Sequence, residues 1–125
     1  MIKSRHICLL SLIFFLCTAT MSCTDSHNNK MIQGNWKATE WLVNGQPSES
    51  NAQQTSFSFD DKGNYSFDHA GTNQTGTYKV ENDMLFTTPK GEMEMMVKIM
   101  KLTKDSLVFD MNRGGQPETL TLLRN

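Results

Sequence analysis

Past residue 23 the chain has no cysteine: Cys8, Cys17 and Cys23 are its only three. No disulfide and no thiolate metal site can form within the remaining sequence. Histidine is scarce too, with three in all, and only His69 falls beyond residue 30. A Ser-His-Asp arrangement would have to centre on it, yet its neighbour Asp68 points the opposite way in a strand. Asp60 and Asp61 sit in a turn sequence, and Glu92 and Glu94 alternate with methionine on an expected outer face. A Gly-rich phosphate loop is lacking, since Gly114-Gly115 reads as a hairpin turn. These absences leave enzymatic chemistry without its usual groups, and no cofactor is expected. An excess of one charge is also missing, with 12 Lys and Arg against 13 Asp and Glu. No apolar run reaches the 18 or so residues that span a bilayer, and no segment carries a 3.6-residue apolar period.

What is present begins with an address. Lys3, Arg5 and His6 make a positive start, and Ile7 to Cys17 is an apolar stretch of about 11 residues, the length of a signal-peptide core. Ala19-Thr20-Met21-Ser22-Cys23 follows. This resembles a bacterial lipoprotein signal, in which cleavage falls just before a lipid-bearing cysteine. Ser22 fits that pattern, whereas Thr20 stands where such signals usually have leucine. The resemblance implies a signal peptide over 1–22, lipidation of Cys23 and an anchor of several acyl chains, each buried methylene contributing roughly 0.8 kcal/mol. The expected location is the bacterial cell envelope, lipid-anchored, at the periplasmic or surface face of the outer membrane.

Removal of residues 1–22 from the 125 leaves 103, one small domain. Without Lys3 and Arg5, 12 basic residues fall to 10 against 13 acidic, a net charge of about −3. That balance excludes a basic nucleic-acid patch and a polybasic grip on anionic lipid. Residues 23–30 carry the anchor cysteine and then Thr-Asp-Ser-His-Asn-Asn-Lys, with no apolar residue, and read as a flexible tether. The folded domain is expected over 31–125.

There the sequence is one of short alternating strands and tight turns. Gln33 to Val43 ends at Asn44-Gly45, a type I′ turn signal, and 46–54 is polar loop. Thr55–Phe59 and Asn64–Asp68 form the clearest hairpin, with Phe57, Phe59, Tyr65 and Phe67 inward. Thr75–Val80 turns Tyr78 and Val80 inward, Met84–Thr88 follows, and Glu92–Thr103 reads as one long strand. Leu107–Met111 and Glu118–Leu123 complete eight strands, with Leu107, Phe109, Met111, Leu120 and Leu122 inward. Almost every connection is hairpin-length. The pattern predicts an all-β, eight-stranded antiparallel up-and-down barrel, since closure removes exposed edges.

Gly34-Asn35-Trp36, Phe59-Asp60-Asp61-Lys62-Gly63-Asn64-Tyr65, Gly76-Thr77-Tyr78 and the Lys101–Phe109 segment resemble, in this order, motifs of short bacterial lipocalin-like lipoproteins. The resemblance spans about 31–124. It implies a lipocalin-like barrel, a structural role for Gly34 and Trp36 at the closed end, and a small hydrophobic ligand.

The residues suited to line a cavity are Trp41, Phe57, Phe59, Tyr65, Phe67, Tyr78, Phe86 and Phe109. A domain of this size buries roughly 65% of its surface, so the same aromatics can equally fill a solid core. A filled barrel would act as an envelope accessory module through its outer surface. Met93, Met95, Met96 and Met100 crowd four thioethers into eight residues, soft ligands that suit Cu(I). Alternation splits them between faces, so a copper site would require a bulge between Val97 and Leu102, or Met84 or Met111. The alternative is that methionine fills irregular apolar gaps.

Overall fold

The structure, a computed structural model, describes residues 23–125; the expected signal segment, 1–22, lies outside them. A short helix α1 (Cys23–Met31) leads into β1 (Gly34–Val43), the two-residue β2 (Gln46–Pro47), a 3-10 turn (Ala52–Gln54) and β3 (Thr55–Phe59). Then come β4 (Asn64–His69), β5 (Thr72–Glu81), β6 (Met84–Pro89), β7 (Met95–Leu102), β8 (Ser106–Arg113) and β9 (Gln116–Arg124).

From β3 onward each strand pairs with the next in antiparallel ladders, and β9 returns to pair with β1. With β2 a mere extension of the first hairpin, eight strands form a closed up-and-down barrel. Tight turns make the meander possible. Asn44 and Gly45 both have positive φ, 51° and 74°, as a type I′ turn requires.

Period-two alternation drives the core. Trp36, Ala38, Phe59, Tyr78, Val80, Leu85, Ile99, Leu107, Phe109, Leu120 and Leu122 are buried together, while their sequence neighbours face solvent. Two bulges keep the phase. One falls between Ile99 and Lys101, within the expected Val97–Leu102 stretch, and turns both Ile99 and Leu102 toward the core. The other, between Ala38 and Glu40, is new. It shifts the phase of β1 so that Trp41, opposite Leu120, points inward.

Two expectations require correction. Glu92–Thr103 is not one strand: β7 starts only at Met95. Gly91 adopts φ 76°, Lys90 N donates to Thr75 O and Glu92 N to Pro89 O, so 90–94 is a turn. Residues 23–30, expected as a flexible tether, belong to a helix that spans Cys23–Met31. The helix is held by an edge. β5 runs past the end of β4, whose ladder with it stops at Asn64↔Thr77, and leaves Val80 without a strand on that side. The Asn29 amide fills the place: its Nδ2 donates to Val80 O at 2.7 Å and its Oδ1 accepts from Val80 N at 2.9 Å. Asp25 Oδ1 accepts from Asn82 N at 3.0 Å, and Ile32, just past α1, is buried in the core. The helix thus closes the barrel end that carries the 60–63, 82–83 and 103–105 turns.

The wall is tightest at Gly76, opposite Tyr65 on one side and Pro89 on the other. A Cβ there would overlap the backbone of Thr88 and Pro89. Replacing Gly76 by Ala should force β5 from β6 and lower stability by about 3 kcal/mol, read from urea denaturation midpoints.

Candidate functional site

The interior is divided. Near the closed end the indole of Trp36, 0% exposed, donates from Nε1 to Ile32 O at 2.7 Å. The Arg124 guanidinium lies over its ring, 4.2 Å from the centroid. Gly34, at φ 125°, leaves room for that guanidinium. Above this floor Phe59 and Tyr78 pack edge to face at 4.9 Å, and the Tyr78 hydroxyl donates to Asp60 O at 2.6 Å.

The other half holds a cavity of about 420 Å³, inside the roughly 300–1,000 Å³ range of small-molecule sites. Phe57, Tyr65, Phe67, Leu85, Thr87, Met95, Val97, Phe109 and Met111 line it from the barrel interior. Phe57 packs on Phe67 at 4.7 Å and on Phe109 at 5.6 Å, so one aromatic wall is continuous. The polar groups gather beside this wall, where Gln74 pairs with Phe67 across the ladder, the Tyr65 hydroxyl donates to Gln74 Oε1 at 2.9 Å and Thr87 also lines the cavity. An apolar wall with one small polar cluster suits an apolar ligand carrying a neutral polar atom. A larger depression of about 660 Å³ lies outside, over Ser58, Asn64, Ser66, Thr77, Thr88 and Glu92. Tyr65 and Pro89 also border it, but most of its lining is polar side chains and turn residues, with Asp60, Lys90 and Glu92 at its margin.

Of the eight aromatics expected to line a cavity, Phe57, Tyr65, Phe67 and Phe109 do so. Phe59 and Tyr78 lie beneath, in the packed core. Trp41 stands at the rim, its ring 5.7 Å from that of His69 and its Nε1 donating to Glu118 Oε1 at 3.1 Å. Phe86 is on the outer face: Leu85 and Thr87 point inward, and Lys79 Nζ lies over the Phe86 ring at 5.2 Å. Gly34 and Trp36 sit at the closed end, where a structural role was expected.

The methionines separate. Met93 is 87% exposed in the turn before β7, and Met100, 58% exposed, stands on the outer face at the bulge. Met95 and Met96 border the cavity, as do Met84 and Met111. Among the described residues no three His, Cys, Asp or Glu side chains form a metal-binding group.

Sequence reasoning did not single out three residues that shape this interior: Arg124, Glu118 and Gln74. Glu118 is 8% exposed, in phase with Leu120 and Leu122, and that phase was the available signal. His69 is half-buried, its Nδ1 2.8 Å from the hydroxyl of the buried Thr55.

Burial raises the pKa of the Tyr65 phenol, and burial followed by the nearby Asp60 and Asp61 carboxylates raises that of Tyr78. The unfolded chain therefore loses these protons first. Their stabilising contribution is whole below the unfolded value of 10.0 and is lost as pH rises through the folded values. Thermal midpoints should fall above about pH 10, and the Tyr65→Phe, Tyr78→Phe double variant should show a flatter alkaline limb.

The lipocalin-like domain family profile matches residues 32–109. No curated protein sequence matches. Among solved structures, a lipocalin-like protein from Bacteroides uniformis is 16% identical with a TM-score of 0.58, covering 76% of this chain and 98% of that one. An uncharacterized protein from Bacteroides eggerthii is 14% identical with a TM-score of 0.55, covering 74% and 98%. At those identities the structures speak for the fold alone. The profile spans most of the barrel, from the residue under Trp36 to the aromatic wall of the cavity, and the chain belongs to the lipocalin-like domain family.

Proposed function

We propose that this domain is a non-enzymatic binding protein that holds a small apolar molecule in the open half of its barrel. We propose also that a lipid on Cys23 carries it at the bacterial cell envelope. The observation that bears the first reading is the divided interior. Packed side chains fill the closed half, whereas about 420 Å³ is left between Phe57, Phe67, Val97 and Phe109 in the other. A barrel serving only through its outer surface gains nothing from such a void, because unfilled apolar volume costs stability. The sequence pattern Ala19–Cys23 supports the anchor. The start of α1 at the closed end agrees with it, since a lipid there would hold that end to the membrane and leave the cavity facing away.

N-phenyl-1-naphthylamine, a neutral apolar fluorophore, should bind saturably at one site per chain. Val97→Trp should fill the cavity, weaken that binding at least tenfold, about 1.4 kcal/mol, and leave the thermal midpoint equal or higher. Absence of saturable binding, or unchanged affinity in the variant, would overturn the reading. For the anchor, expression of Cys23→Ser in a bacterial host should abolish incorporation of labelled palmitate and release the protein from membranes.

A further inference from the structure

The cavity does not stay inside the barrel. A closed wall can present only inward side chains to its interior, because neighbours along a strand face opposite sides. Here Met95, Val97, Phe109 and Met111, which point inward, share one void with Met84, Met96, Lys98, Asp110 and Asn112, which point outward. The void therefore passes through the wall.

The ladders show where. Pairing of β7 with β8 runs from Leu102↔Leu107 to Lys98↔Asp110 and stops. Continued, it would set Val97 against Met111 and Met96 against Asn112. Among the described residues, Met95–Val97 pair instead only with β6, and Met111–Arg113 only with β9. The two strands part into a seam about three residues long.

At the axial end the 44–54 connection lies against its neighbouring strands and the β4–β5 turn, with Asn44 N donating to Pro117 O, Ser48 N to Trp41 O and Ala70 N to Gln54 O. Ala52 packs on the core, and beneath it the Trp41 ring meets His69 and bonds Glu118.

The charges are placed in one direction. The charged side chains bordering the void, Lys98 and Asp110, both stand on its outer lip, and its inner wall is uncharged, apolar but for the cluster of Tyr65, Gln74 and Thr87. A ligand lying along it meets apolar surface at one end and water and charge at the other.

We propose that the ligand is a single-chain amphiphile that enters sideways through the β7–β8 seam, its chain within the barrel and its polar head held outside between Lys98 and Asp110. The methionines at the lips suit such passage, since an unbranched thioether side chain adapts to a moving chain. A charged head stays at the seam because burying it unpaired is costly. This proposal rests on the binding function argued above and adds the class of ligand and its route.

The test uses the full chain and cis-parinaric acid, a fluorescent long-chain fatty acid. A Met96→Cys, Asn112→Cys pair in a Cys23→Ser background would lock the seam on oxidation, the 96–112 link being checked by peptide mapping. Stopped-flow uptake should slow at least tenfold on oxidation and recover on reduction. Met96→Trp, which narrows the lip without a bond, should slow uptake as well, whereas Ala52→Trp at the axial end should not. Unchanged uptake by the oxidised pair, or by Met96→Trp if the pair resists oxidation, would overturn lateral entry. If the protein binds N-phenyl-1-naphthylamine but not the fatty acid, the amphiphile class fails while the pocket stands. If it binds neither, the binding function itself fails.

Discussion

The Arg124 guanidinium over the Trp36 indole holds this molecule together. Its nitrogens donate to Gln33 O at 2.7 Å, Met31 O at 2.8 Å and Lys104 O at 2.6 Å. One side chain from the last strand thus ties the helix exit, the start of β1 and the β7–β8 turn to the indole beneath. A cation over a tryptophan face contributes about 0.5–2 kcal/mol, and burying an aromatic side chain about 1.5–3 kcal/mol more. Both terms depend on β9 lying beside β1, which is the pairing that makes a barrel of a sheet. Closure, the floor of the interior and the seat of α1 are therefore one arrangement rather than three.

With the floor so dense, the rest of the barrel is free to be incomplete. Stability in a domain of this size comes from a small core, and here Ile32, Trp36, Phe59, Tyr78, Leu107 and their neighbours concentrate it at the closed end. The open half carries the half-buried Phe57, Phe67, Val97 and Met111, the broken β7–β8 ladder and the exposed Met95 and Met96. Weak packing and unpaired backbone are the features of segments that open at low free-energy cost. The same chain is thus densely packed at its closed end and more loosely packed around the cavity.

Much of this was legible in residue order. The alternation of Phe57 with Phe59, Tyr65 with Phe67 and Leu120 with Leu122 assigned their faces, because a strand has only two. Loss of phase between Val97 and Leu102 announced a bulge for the same reason. Trp41 and Glu118 were harder. The bulge at Thr39 breaks no obvious pattern in β1, and a carboxylate inside a barrel is intelligible only once an indole N–H is seen beside it. Phe86 was misplaced because Met84-Leu85-Phe86 is apolar throughout and does not reveal which neighbour turns in. The helix was illegible for a different reason. Its residues carry no apolar period, and what orders them is the Val80 edge, 51 residues from Asn29 along the chain.

Sequence alone determined the eight-stranded antiparallel class and the inward face of most strands, since both follow from a local period and from turn chemistry. Tertiary structure alone decided how much of the interior is filled and where the wall opens. Those properties depend on the stagger of one strand against the next: how far β5 outruns β4, and where β7 and β8 cease to pair. Stagger is a relation between strands distant along the chain, and no single strand's residues encode it.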